Sequence, residues 1–218
     1  MAELVDPAAQ RYACEHTTGF EGAAQTAARW TQKNTADPGM AAGVSEARLL
    51  EALVVSSGAM RVLEIGTFTG VGALSLAAAL PSGGRVITLE INQANAAAAR
   101  RHIEASAYAD RIELIVGDAK DTLQRLDGPF DLVWIDAWKA DYPAYYDLVV
   151  GKLAATGLIA ADNLFRDGLA LDPSVDDPGT EGIRAFARRV QDDTRMHNAL
   201  LTIGDGVMLA WRRPDADR

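Results

Sequence analysis

From residue 60 onward, short apolar runs alternate with stretches whose apolar residues recur at helical spacing. Runs at 61–65, 85–90, 111–116, 130–135 and 157–161 are rich in Val, Ile and Leu and predict strands. Between them, 71–80, 93–106, 119–126 and 142–153 predict helices. Alternation of this kind implies a parallel sheet covered on both faces. The rhythm then breaks. Residues 164–179, with Asp172, Pro173, Asp176, Asp177 and Pro178, predict a loop that is long for a compact domain, and such loops often act as lids or binding loops. A helix over 180–193 follows, and 199–203 and 207–211 around Gly204-Asp205-Gly206 predict a β-hairpin.

Residues 1–58 carry no strand alternation and predict helices, one over 21–33 and one running from an N-cap at Ser45 through Val55 to Gly58, with a break at Asp37-Pro38-Gly39. The chain therefore divides into an N-terminal helical extension, 1–58, and an α/β domain, 59–218.

Composition narrows the function. The chain has 218 residues, 49% of them apolar, which is enough for one sizeable core. A net charge of −9 argues against a nucleic-acid partner, which needs a basic face. The single cysteine, Cys14, rules out an internal disulfide and a cysteine-based zinc site and suits a reducing cytoplasm; it is expected to be a buried or interfacial small hydrophobe. No secretory signal or membrane span is expected. His16, His102 and His197 lack metal-ligand spacing, and His102 is expected on a helix surface.

The chemistry collects at the predicted strand ends. Gly66, Gly70 and Gly72 lie in the first strand-to-helix turn, where glycine lets a ligand approach the backbone. Their spacing is not that of the dinucleotide fingerprint, and Glu64, just before, would repel a pyrophosphate but suit an ammonium or sulfonium group. Glu90 ends the second strand, where a carboxylate can accept from both hydroxyls of a ribose. Gly117, Asp118 and Ala119 end the third and stand where an adenine edge would lie, although Asp118 alone serves equally as a solvated strand end. Asp136 ends the fourth strand and Asp162-Asn163 the fifth. Two carboxylates and an amide oxygen make a hard, oxygen-only partial shell suited to Mg²⁺. Lys139, three residues past Asp136, is positioned to act as a base. Taken singly, Asp162-Asn163 also reads as a turn, Lys139 as a surface lysine and Trp138 as core.

These motifs resemble those of class I S-adenosylmethionine methyltransferases, and residues 135–139 with Asp162-Asn163 resemble the cation-dependent catechol and caffeoyl-CoA O-methyltransferase group. The likeness spans about residues 38–212. It implies a Rossmann-like, seven-stranded, mostly parallel sheet with helices on both faces and an antiparallel C-terminal hairpin. It implies cofactor contacts from Met40, Ala42, Glu64, Gly66, Phe68, Gly72, Glu90, Ile91, Gly117, Asp118, Ala119, Asp136 and Trp138, with Trp138 packing on the adenine. It implies metal ligation by Asp136, Asp162 and Asn163, catalysis by Lys139 and Asp136, and a homodimer acting on a small phenolic substrate. Gly72 departs from the group, whose close relatives carry a serine there for the cofactor carboxylate. The 164–179 loop is the expected substrate selector, with Arg184 within reach of it and Arg188 and Arg189 on a solvated face; Tyr12 and Trp30 would cap the site or face a dimer partner. A nicotinamide-dependent oxidoreductase, a non-catalytic binding protein and a metal-independent methyltransferase are the competing readings.

Overall fold

The computed structural model of the chain describes residues 6–214. Helices α1 (Pro7–Glu15), α2 (Gly22–Asn34) and α3 (Val44–Ser57) precede the sheet. The αβ repeat runs β1 (Arg61–Ile65), α4 (Val71–Ala79), β2 (Arg85–Glu90), α5 (Gln93–Glu104), β3 (Ile112–Val116), α6 (Ala119–Arg125), β4 (Phe130–Ile135), α7 (Tyr142–Val149) and β5 (Leu153–Ala161). Helix α8 (Pro178–Asp192) and the hairpin β6 (Met196–Leu201) and β7 (Val207–Arg212) complete it.

The seven strands lie in the order β3-β2-β1-β4-β5-β7-β6. The first five are parallel, and β7 enters antiparallel between β5 and β6. Strand alternation sends Leu63, Ile65, Val133 and Ile135 into a core beneath α6, α7 and α8. Val62, Leu132 and Trp134 point into the other core, where α2 and α3 contribute Ala27, Leu50 and Val54 against α4. Among the described residues no helix is long and apolar enough to cross a membrane.

Several local expectations are corrected. Ser45 does not cap α3. The helix begins at Val44 with Gly43 at the N-cap, and the Gly43 carbonyl already accepts from Ala47. Strand β5 starts at Leu153, not 157, because a 3-10 turn over Val150–Lys152 ends α7 early and the chain enters the sheet at once. Asp177, not Thr180, opens α8, its carboxylate accepting from the N–H groups of Gly179 and Thr180. Strand β6 starts three residues earlier than expected and ends two earlier, at Leu201, pairing Met196 with Arg212. Cys14 is exposed. His102 is partly buried, its Nδ1 2.9 Å from the Thr69 carbonyl and its ring edge-on to Trp30.

Candidate active site

Order in this sheet reverses between β1 and β4, since the chain moves outward to β2 and β3 on one side and to β5 on the other. Ligands bind outside the carboxyl ends of strands at such a switch point. The register places Ile65, Ile135 and Ala161 level with one another. The ladder continues one residue further, from Asp136 N–H to the Ile65 carbonyl and from Asp162 N–H to the Ile135 carbonyl. Gly66 N–H bonds Leu89 and Gly117 N–H bonds Glu90 across the other strands. One rim thus carries Gly117, Glu90, Gly66, Asp136 and Asp162, the strand-end residues read from the sequence.

The glycine turn is shaped by close approach. Gly66 has φ +109, and a Cβ there would overlap the carbonyl oxygen of Asp136. Gly70 begins α4 at φ +92, and between them Phe68 sits at φ +48. The cleft beneath is lined by Met40, Ala41, Ala42, Glu64, Gly66, Phe68, Gly72 and Asp136. Glu64 faces α4 because it shares a strand face with Val62. It is 1% exposed, accepts a hydrogen bond from Thr88, and occupies the space where a Cβ on Gly72 would stand. Burial, opposed by the Thr88 bond and reinforced by the charges of Asp136 and Glu90, pushes its carboxyl up to about 8. The departure at Gly72 therefore makes room for Glu64.

Glu90 is 8% exposed and accepts from Phe68 N–H at 2.7 Å and Asn92 N–H at 2.8 Å, which fixes its carboxylate at the end of β2. Burial raises its pKa and these backbone donors oppose the rise. Asp118 uses one oxygen to cap α6 through Lys120 N–H at 2.7 Å. Along this rim Met40 is 57% exposed, Ile91 68% and Trp138 68%, so Trp138 is not core, and three large apolar side chains stand open to solvent beside the cleft.

Asp136 and Asp162 form the second half. Asp162 is 5% exposed and accepts from the Asn163 N–H at 2.7 Å. Burial and then the like charge of Asp136 push its pKa up. Asn163 adopts the left-handed φ of +59, which turns the chain off the strand end. Lys139 Nζ donates to Asp136 at 2.7 Å and to the Tyr142 hydroxyl at 3.0 Å. Tyr142, fully buried, lies 3.2 Å through its hydroxyl from both the Ile135 and the Asp162 carbonyl oxygens. Its pKa is raised well above the ordinary value, first by burial and then by Asp136 and Asp162, so it remains a neutral hydroxyl. Sequence reasoning missed Tyr142; its one signal was the three-residue spacing from Lys139 onto the start of α7. Among the described residues no three His, Cys, Asp or Glu side chains form a metal-holding group. The candidate shell is two carboxylates and an amide oxygen, and two crowded carboxylates beside a single ammonium suit a hard cation.

The 164–179 segment is tethered. Leu164 N–H bonds the Gly206 carbonyl and Phe165 N–H that of Asp205, which binds the segment to the hairpin turn. The Arg184 guanidinium is taken up by the carbonyls of Leu169, Ala170, Asp172 and Val175, so it organises the loop. Arg166 pairs with Asp177 at 2.6 Å.

The geometry has counterparts in known proteins. A family model described as O-methyltransferase matches residues 21–213. The chain belongs to this O-methyltransferase family. With it, the chain is a class I S-adenosylmethionine-dependent O-methyltransferase, and the oxidoreductase reading falls away. It is 32% identical to a catechol O-methyltransferase of Niastella koreensis over 201 residues, covering 88% of this chain and 91% of that one. It is 28% identical to a probable caffeoyl-CoA O-methyltransferase of Dictyostelium discoideum, covering 91% and 88%. Among solved structures, the O-methyltransferase TomG of Streptomyces achromogenes, in complex with S-adenosylmethionine, superposes with a TM-score of 0.85 at 29% identity, covering 94% and 96%.

Proposed function

We propose that this O-methyltransferase transfers the methyl group of S-adenosylmethionine to one hydroxyl of a small vicinal diphenol, assisted by Mg²⁺ or another hard divalent cation. The observation that carries the reading is the placement of Asp136, Asp162 and Asn163 at level strand ends, with Lys139 bonded to the first, beside the glycine-lined cleft.

In the cleft, Glu64 takes the ammonium of the cofactor's methionine end, with the backbone of Gly66, Phe68 and Gly72 around it. Glu90 accepts from the ribose hydroxyls. Gly117, Asp118 and Ala119 meet the adenine, and the exposed side chains of Ile91 and Trp138 cover its faces. Met40 and Ala42 close the cleft from the segment between α2 and α3, part of an N-terminal extension that caps the site, shares a core with α4 and offers a face for a homodimer. A cytoplasmic setting fits the exposed free thiol of Cys14.

Asp136, Asp162 and Asn163 would hold the cation, whose chemistry is to lower the pKa of a chelated hydroxyl. Lys139 Nζ, held by Asp136 and by the neutral hydroxyl of Tyr142, receives the phenolic proton in its neutral amine form, after its own ammonium proton has passed to solvent. The phenolate oxygen then forms the new C–O bond in line with the breaking C–S bond, and holding the two together supplies much of the acceleration. Turnover of catechol with labelled donor is expected to stop in chelator and to return with Mg²⁺. Asp136→Ala should lose it while still binding S-adenosylhomocysteine by calorimetry. Full activity of that variant, or of the wild type in chelator, would establish the metal-independent alternative.

A further inference from the structure

We infer that the chain carries a second ligand site, at the end of the sheet opposite the methyl-donor cleft, which takes a hydroxyl-bearing phosphate monoester such as a sugar phosphate or a nucleotide. The inference stands apart from the diphenol reading, since none of its residues lies on the rim described above.

A cleft of about 380 Å³, the size of a small-ligand pocket, opens where β1, β2 and β3 begin. Arg61 and Arg85 open β1 and β2 as register partners. Arg111 stands one residue before β3, and its carbonyl accepts from Val86 N–H. The ladder therefore sets three arginines in a row across neighbouring strands, their backbones about 5 Å apart. All three line the cleft.

The guanidinium groups are held in place but not neutralised. Arg61 lies over the Phe130 ring at 4.6 Å and reaches the Pro129 carbonyl at 3.4 Å. Arg85 reaches the Asp110 carbonyl at 3.5 Å. Arg111 donates to the Ala77 and Pro81 carbonyls at 3.4 and 3.0 Å. Each guanidinium has five N–H donors, so most remain unclaimed. Among the described residues no ion pair engages Arg61, Arg85 or Arg111, in a chain whose 30 acidic residues outnumber its 21 basic ones. Asp131 of β4 has its Oδ2 taken by the N–H groups of Met60 and Arg61 at 2.8 and 2.9 Å. Fixed guanidinium forks facing an open cleft match the oxygens of a phosphate.

The rest of the lining sets the body of the ligand. Ile87 and Glu113 are register partners two residues further along β2 and β3 than the arginines. Ile87 supplies apolar floor, and Glu113 and Asp110 are exposed carboxylates at its border. A carboxylate repels a bare anion but accepts from a hydroxyl. A ligand with its phosphate on the arginines and its hydroxyls towards Glu113 satisfies both signs, whereas inorganic phosphate satisfies one.

The test titrates ribose 5-phosphate, uridine 5′-monophosphate and inorganic phosphate into the protein saturated with S-adenosylhomocysteine and held in chelator. The cofactor cleft is then filled, and no cation draws the phosphate. Binding is read by calorimetry and by amide shifts in nitrogen-15-labelled protein. The esters should bind about 5-fold or more tighter than inorganic phosphate, with shifts at Arg61, Arg85, Ile87 and Glu113 and none at Gly66 or Asp136. Binding of either ester supports the site, and their ratio separates a nucleotide from a sugar phosphate. Arg85→Gln, at an exposed position, should weaken both esters about 5- to 10-fold, and Arg85→Glu should abolish binding, while S-adenosylhomocysteine affinity holds. Glu113→Gln should tighten inorganic phosphate and narrow its gap to the esters. No binding up to about 10 mM, shifts confined to the cofactor cleft, or unchanged affinity in Arg85→Gln would overturn the site. Inorganic phosphate binding as tightly as the esters would overturn the ligand class.

Discussion

Binding of S-adenosylhomocysteine to the free protein should release a proton, and the proton should come from Glu64. Its carboxyl is enclosed by Thr88 and the Gly72 turn, and burial holds its pKa at about 8. At pH 7 roughly nine in ten such groups are protonated. An ammonium docked on the group requires the carboxylate, so the complex should form with release of about 0.9 proton at pH 7, approaching one at pH 6. Each pH unit below 8 costs about 1.4 kcal/mol of binding, so Kd should weaken close to tenfold between pH 7 and pH 6. The sign for folding follows from the same shift. A carboxyl whose pKa is higher in the folded chain holds its proton more tightly there, so its contribution to stability is fullest below 4.5 and is lost as pH climbs towards about 8. Calorimetry in phosphate and in Tris, buffers of different ionisation enthalpy, counts the protons. Chelator keeps the field of Asp136 constant, and Glu64→Gln should abolish the release. Tight wild-type binding at pH 6 with no proton released, or equal release from Glu64→Gln, would refute the reasoning.

Other consequences can be checked more briefly. Lys139→Met should lower kcat about 10²- to 10⁴-fold at neutral pH, with partial recovery as pH rises; a pH–rate profile parallel to wild type would remove Lys139 as the base. Gly66→Ala should cost about 3 kcal/mol in urea unfolding, because the added methyl meets the Asp136 carbonyl at a positive φ; a loss below about 1 kcal/mol would contradict the close approach. Arg184→Ala should cost about 2 kcal/mol and speed proteolysis between residues 169 and 175 while S-adenosylhomocysteine affinity holds; unchanged cleavage would mean that the guanidinium does not organise the loop.

What the sequence disclosed and what it hid follow from the range of the interactions involved. Five parallel strands were legible because each centres on a Val-, Ile- or Leu-rich stretch that a single polar residue, such as Glu64 in β1 or Glu113 in β3, does not mask, and the rim residues were legible because they stand at the ends of such stretches. Element ends were less so. Ser45 looked like a cap because its type favours one, yet the chain leaves the turn at Pro38–Met40 in an extended conformation at Gly43, and the helix is already under way when Ser45 is reached. The start of β5 was hidden because Ala154, Ala155, Thr156 and Gly157 carry little apolar signal, although they extend the strand back to Leu153.

The residues whose part the sequence left unseen, or in the case of Arg184 assigned towards a substrate, share one property: each acts through a partner distant in sequence. Arg184 reads as a helix-face charge within reach of the loop and of a substrate, and only the fold of the 169–175 segment over α8 gives it loop carbonyls to bind instead. Tyr142 reads as an apolar helix residue, and its hydroxyl acquires a role because β4 and β5 end beside it. Glu46 precedes the sheet altogether and meets Gly204 only because β7 inserts between β5 and β6 and brings the hairpin turn back to α3. The methyl-donor cleft is written along the strand ends, in order. α3, the loop after β5 and the terminal hairpin meet beside Asn163 only in the fold, so a selectivity built on them would belong to the tertiary structure. It follows that exchanging the 164–179 loop alone should move acceptor preference less than exchanging it together with the start of α3 and the hairpin turn.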